Sequence, residues 1–138
     1  MTKLVRFSVS MEEKLVATFD RLARKRGYAN RSEAIRDALR AQLVRQEWKE
    51  GEEVAGVITL LYEHGRAGLS KRLTEIQHHA LRQVISTTHI HLDHENCLEF
   101  VAVKGRAERV QKLADSLISL KGVKHGELAA TSTGKRLL

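Results

Sequence analysis

Over the segment KLVRFSVS, Lys3 to Ser10, Val5, Phe7 and Val9 alternate with Leu4, Arg6, Ser8 and Ser10. A period of two predicts a short strand with one apolar face. No second strand follows it. Ser10 and Glu13 form a capping-box pair, which predicts that a helix starts there. Leu15, Val16, Phe19, Leu22 and Ala23 recur at helical spacing, and Gly27 ends the run as a left-handed cap. Asn30 and Glu33 repeat the capping pattern, and Ile35, Ala38, Leu39 and Leu43 stripe a second helix running to about Glu47. Residues 1–48 therefore read strand, helix, helix. A unit of that size cannot hide its own apolar faces, and a lone strand leaves both edges unpaired. Antiparallel pairing of two such strands from two copies answers both needs. It would bury Val5, Phe7 and Val9 against the helices.

Such pairing also displays Arg6, Ser8 and Ser10, with their twofold mates, on the open face of a two-stranded ribbon. A ribbon of that width fits the major groove of duplex DNA, where Arg can read guanine and Ser can serve bases or phosphate. Charge points the same way. Residues 1–50 hold 12 Lys and Arg against 7 Asp and Glu, so they carry +5 of the chain's net +7. Aromatic residues are only 4% of the chain, so stacking on single-stranded bases is not the expected mode. GYANRSEAIRDALR, Gly27 to Arg40, resembles the second-helix signature of the ribbon-helix-helix repressors. In that fold the second helix begins over a DNA phosphate, which would place Asn30, Arg31 and Ser32 there.

EWKEGEE, Glu47 to Glu53, is polar, and residues 49–53 are expected to link two domains. Beyond it the pattern changes. VAGVITLLYEH, Val54 to His64, predicts a buried strand. Ala67 to Leu81 carries the helical stripe Leu69, Leu73 and Ile76. Val84 to Asp93 and Cys97 to Gly105 predict two strands joined by the turn His94-Glu95-Asn96. Val110, Leu113, Ala114, Leu117 and Ile118 predict a further helix, and Val123 to Thr131 a last strand. The order β-α-β-β-α-β over residues 54–131 is the ferredoxin-like arrangement, so the fold class is α+β. Residues 132–138 read as a loose tail. No apolar run reaches the roughly 18–20 residues of a membrane span. No signal peptide is expected, and a single cysteine cannot form an internal disulfide, so the expected compartment is the cytoplasm.

THIHLDHENC, Thr88 to Cys97, holds three histidines and that one cysteine. His89 and His91 share parity on a strand, with Cα atoms roughly 6.5–7 Å apart. Across the hairpin Cys97 begins the returning strand near His91. Two nitrogens and one sulfur then face a common point, where a divalent ion could hold the sulfur as thiolate. His94, His78, His79 and a water are the candidates for a fourth ligand. Histidine and cysteine ligands suit zinc, copper, nickel or cobalt, and spacing does not choose among them.

A basic strand-helix-helix unit, a short linker and a β-α-β-β-α-β domain carrying QHH, HIH and ENC resemble the nickel-responsive repressors (NikR) over nearly the whole chain. The resemblance implies one Ni(II) per chain in a planar site, held by His89, His91 and Cys97 of one subunit and His78 of another. It implies a homotetramer, in which two ribbon-helix-helix dimers flank a core of ACT-like regulatory domains. It also implies repression of nickel-uptake genes when nickel is plentiful. Arg6, Ser8 and Ser10 fall at the family's base-reading positions, where threonine is common at the last two. Glu33 and Asp37 fall where some members hold a second cation, although a cap and a surface charge explain them equally. An antitoxin of the ribbon-helix-helix kind would explain residues 1–50 and leave the histidine cluster idle. A zinc hydrolase would need Glu95 or Glu99 as a base, without an HExxH helix in support. A metallochaperone would use the same ligands without binding DNA.

Overall fold

The computed structural model describes residues 3–138 and divides into two compact units within helix α2, between Leu43 and Val44. The first unit runs to Leu43 and takes in Leu137 and Leu138; the second is Val44–Arg136.

In the first unit, helices α1 (Glu13–Lys25) and α2 (Arg31–Lys49) follow a segment with no helix or strand. The expected strand at Lys3–Ser10 is therefore absent from a single chain. A strand is defined by ladder hydrogen bonds, and no segment among the described residues pairs with this one. Val5, Phe7 and Val9 are 76%, 72% and 65% exposed, so none of the described residues covers them. Among the described residues of this unit only Ala23 and Ala34 are buried. The N-cap of α1 is also not the expected Ser10. It is Glu12, which makes no side-chain capping bond. The two chain reversals do match their residues. Gly27 sits at φ +84°, with its N–H on Arg24 O and the Tyr28 N–H on Ala23 O, a paired closure that requires left-handed backbone. Asn30 caps α2, its Oδ1 accepting the Glu33 N–H at 3.0 Å.

The second unit is an antiparallel four-stranded sheet in the order β2-β3-β1-β4. Its strands are β1 (Glu53–Glu63), β2 (Val84–His91), β3 (Asn96–Arg106) and β4 (Val123–Ser132). Helices α3 (Leu69–His79) and α4 (Ala107–Ile118) complete the ferredoxin-like order. The core lies between helices and sheet. Val54, Ile58, Leu60 and Tyr62 of β1 and Cys97, Val101 and Val103 of β3 pack on Leu69, Leu73, Val110, Leu113, Ala114 and Leu117. The central strands alternate buried and half-buried residues, as a sheet covered on one face should. β2, at the edge, is exposed along nearly its whole length.

Gly56 shows how tightly β1 meets β4, because a Cβ there would lie 2.8 Å from the Ala129 carbonyl oxygen. A backbone atom cannot swing aside. Gly56→Ala should therefore cost about 1–3 kcal/mol, read as a lowered urea midpoint. An unchanged midpoint would show that β4 yields freely.

Three boundaries differ from expectation. The proposed 49–53 linker begins inside α2 and ends inside β1, leaving a turn at Glu50–Glu52 with Gly51 at φ +69°. Helix α3 covers Leu69–His79 rather than 67–81, since Gly68 at φ +78° starts it and the chain turns at Ala80. The tail is not loose. Arg136 pairs with Glu52 at 3.1 Å, and Arg40 donates to the Leu138 oxygen at 2.9 Å.

Candidate metal centre

Strand parity builds the centre. His91 lies opposite Cys97, and His89 opposite Glu99, across the β2–β3 ladder. Tyr62 of β1 lies opposite Cys97 on the other side. Residues directly opposite each other in an antiparallel pair project from the same face, so these side chains share the helix-covered face at one end of the sheet. The His91 Nδ1 is 3.4 Å from the Cys97 Sγ. The His89 and His91 rings are 4.9 Å apart and steeply inclined, so they converge without stacking.

A third imidazole joins them. His64, just past β1, has its ring 4.7 Å from that of His91. The ligand atoms of His64, His89, His91 and Cys97 all lie within 4.8 Å of one another, and they form the one such histidine-cysteine group found among the described residues. Sequence reading missed His64. Its only signal was a period of two from Tyr62, and that becomes informative once β1 is known to neighbour β3.

The hairpin turn holds the candidate ligands in register. Asp93 Oδ1 accepts the N–H groups of Glu95 and Asn96 at 2.8 and 2.7 Å, and the Asn96 amide returns to Asp93 Oδ2 at 3.0 Å. These bonds hold the Asp93 carboxyl below its ordinary range, the Asn96 side chain contributing most. The Glu95 carbonyl also accepts the His64 N–H, so one turn positions candidate ligands on β2, on β3 and just past β1. Asp93→Ala should weaken metal binding by about tenfold or more, the scale seen when an outer partner of a ligand is lost. A competition titration against a chelator measures this, and an unchanged constant would deny the turn that role.

Behind the ligands lies a polar network. The Tyr62 hydroxyl sits 3.0 Å from His89 Nδ1 and 3.4 Å from Glu99 Oε1. Burial, then the nearby Glu99 and Cys97 charges, push the Tyr62 phenol well above its ordinary pKa, so it stays a neutral donor. If His89 Nδ1–H donates to the phenol and the phenol to Glu99, the His89 Nε2 lone pair is left for a metal. Glu99 also receives the Gln77 amide at 3.0 Å, and Gln77 Oε1 accepts from Thr87 at 2.6 Å. The network thus ends on α3, one residue before His78. Glu99, nominated from sequence as a hydrolytic base, is buried and committed to Tyr62 and Gln77.

The other expected residues are more scattered. His78 is exposed at the end of α3, beside His79 and outside the cluster. Arg6, Ser8 and Ser10 are exposed. Ser32 is exposed too, but Asn30 is spent on its cap, and Arg31 forms a two-pronged ion pair with Asp20 at 2.9 and 2.7 Å. Asp37 accepts from Tyr28 at 2.8 Å and from Arg40 at 3.3 Å, so its carboxylate already has two donors.

Comparison with known proteins identifies the family. Residues 55–131 match the NikR C-terminal nickel-binding domain, and residues 5–46 match the copG family of ribbon-helix-helix proteins. The chain is 53% identical over 137 residues to a putative nickel-responsive regulator of Thermococcus kodakarensis, covering 99% of each. It is 50% identical over 138 residues to another from Geobacter metallireducens, again covering 99% of each. A solved structure of an uncharacterized protein from Thermotoga maritima shares the fold over 57% of this chain and 98% of its own. Its TM-score is 0.52 and its identity 16%. A ribbon-helix-helix unit joined to a nickel-binding α+β domain defines a metal-responsive, DNA-binding transcription regulator and not an enzyme. Within that class, the chain belongs to the nickel-responsive regulators. No helix among the described residues is long and apolar enough to cross a membrane.

Proposed function

We propose that this regulator binds one Ni(II) per chain through His89, His91 and Cys97, with His78 supplied by another copy, and then represses nickel-uptake genes in the cytoplasm. The observation that carries the reading is the convergence of the His91 nitrogen and the Cys97 sulfur at 3.4 Å, with His89 alongside. The donor set fits the ion, since imidazole nitrogen and thiolate sulfur in four-coordination suit Ni(II). Bound nickel would supply a fixed positive charge that keeps the buried Cys97 as thiolate.

The chain's own residues carry the signal. Glu99 and Thr87 hold Gln77, which precedes His78, so ordering the ligands orders the end of α3. A partner's claim on His78 then ties two copies together. Exposed Ile85 and Ile90 on the edge strand, with Leu92 just past its end, support self-association of this domain. The uncovered Val5, Phe7 and Val9 support pairing of the arms, which would present Arg6, Ser8 and Ser10 to the major groove and the start of α2, at Asn30 to Ser32, to phosphate. A homotetramer, two arm dimers about a core of four regulatory domains, satisfies both surfaces. Metal strengthens DNA binding only through its greater affinity for the binding-competent arrangement.

Affinity for a duplex spanning a nickel-uptake promoter, measured with and without Ni(II), tests the reading. It should rise with nickel and fall steeply with salt. Equal affinity in both conditions would end the proposal.

A further inference from the structure

At the opposite end of β1 from the histidines lies a cavity of about 200 Å³, lined by Glu47, Glu52, Glu53, Thr133, Lys135 and Arg136. All six residues belong to the second unit. Glu53 stands nine strand steps, roughly 30 Å, before Tyr62, the residue opposite Cys97. The cavity is therefore separate from the candidate metal centre, and neither Glu33 nor Asp37 lines it. We propose that it binds a hard, oxygen-seeking divalent cation of the calcium class, with Glu47 as the anchor.

Glu47 carries the argument. It lies on the last turn of α2, is 9% exposed, and its Oε2 is buried with no hydrogen-bond partner among the described residues. A carboxylate oxygen taken out of water and left unpaired is strongly disfavoured, and buried charges in folded proteins are paired or coordinate a metal. The neighbouring acids have partners already. Glu52 Oε1 meets Arg136 at 3.1 Å, and Glu53 Oε1 meets Lys104 at 3.6 Å. Both bases are exposed, and surface pairs of this kind contribute little, so an ion can take over their carboxylates. Three acids against two bases leave the lining net negative.

The donors choose the class of ion. Three carboxylates and the Thr133 hydroxyl make an all-oxygen set, with no imidazole or thiolate. Calcium takes about six to eight oxygens at roughly 2.3–2.6 Å, waters included, in adaptable geometry. Magnesium demands a stricter octahedron and sheds water reluctantly, which suits a buried anchoring oxygen poorly. The backbone holds the frame. The Glu47 carbonyl accepts the Glu52 N–H at 3.0 Å, and the Glu52 carbonyl accepts the Ala107 N–H at 2.9 Å. A bound ion would tie the last turn of α2 to the start of β1 and to the residues just past β4.

Terbium(III) is a luminescent stand-in for calcium, and an adjacent indole sensitises it. Trp48 is the only tryptophan, follows Glu47 directly and is fixed by its Nε1–H on the Thr131 carbonyl at 2.9 Å. Tryptophan-selective excitation of the full-length protein with Tb(III) should give terbium emission, displaced by excess Ca(II) and not by K(I) at equal ionic strength. Glu47→Gln should lose that emission and bind Tb(III) at least about tenfold more weakly, while its Ni(II) titration matches the intact chain. Calcium should raise the urea midpoint of the intact chain and leave that of Glu47→Gln alone. Lys135→Ala should keep the emission. No emission from the intact chain, unchanged emission in Glu47→Gln, or displacement by potassium as readily as by calcium overturns the proposal. A Lys135→Ala variant with a lowered urea midpoint and no terbium emission would assign Glu47 to that ammonium and overturn it as well.

Discussion

Replacing Cys97 with alanine should abolish the sulfur-to-nickel absorption band that Ni(II) titration is expected to produce in the intact chain at one equivalent. Cys97 is the only cysteine, so no other sulfur can generate that band. It is fully buried at the start of β3 and lies 3.4 Å from His91, so a water admitted in its place would meet a site shaped for sulfur. Nickel affinity should fall by more than about a hundredfold, beyond the range typical of losing an outer partner. The variant should also lose the nickel-dependent rise in duplex affinity. A pH dependence follows from the same residue. Burial first, then the Asp93 and Glu99 charges, push the Cys97 thiol above its ordinary pKa. Metal requires the thiolate, so binding releases a proton, and affinity should climb as pH rises, by about tenfold per unit for one proton below that raised pKa. Cys97→Ala should lower this slope by one proton. A nickel band surviving in the variant, or a slope that the substitution leaves alone, would place the sulfur outside the site.

The second large effect belongs to the arm. Phe7→Asp should eliminate duplex binding while leaving nickel binding intact. Phe7 is 72% exposed in one chain and gains nothing there, so the cost arises only when two arms pair. Truncating a buried phenylalanine costs roughly 3–5 kcal/mol, and an unpaired carboxylate in its place adds a desolvation penalty. The second unit keeps its own core, from Val54 through Leu117, so the Ni(II) spectrum should persist. Filter binding or anisotropy with the promoter duplex reads the first effect, and absorption reads the second. Wild-type duplex affinity in Phe7→Asp would mean that the arms do not pair through this face.

These two residues show how differently the units could be read from sequence. Val5, Phe7 and Val9 announced a strand by their alternation, yet the described residues of one chain contain no partner for it, and the segment carries no ladder. The pattern spoke of an assembly that a single chain cannot display. In the second unit, β1, β2, β3 and β4 emerged within one or two residues of their expected bounds, because a strand covered on one face alternates and is closed by turn residues. Helix ends were less legible. Glu12 rather than Ser10 starts α1, and α2 runs through the expected linker, since caps and turns depend on which local bonds win.

By itself, the order of residues determined the ferredoxin-like succession of elements, the basic arm, and the pairing of His89 and His91 with Cys97, since strand parity and a short turn are local properties. Only the tertiary structure could bring His64 into that group and set Tyr62, Glu99 and Gln77 behind it. Those residues lie on β1, β3 and α3, up to 37 positions apart along the chain. Their meeting depends on β1 lying beside β3 in the sheet, a long-range choice driven by burial of the common core, which no local pattern encodes.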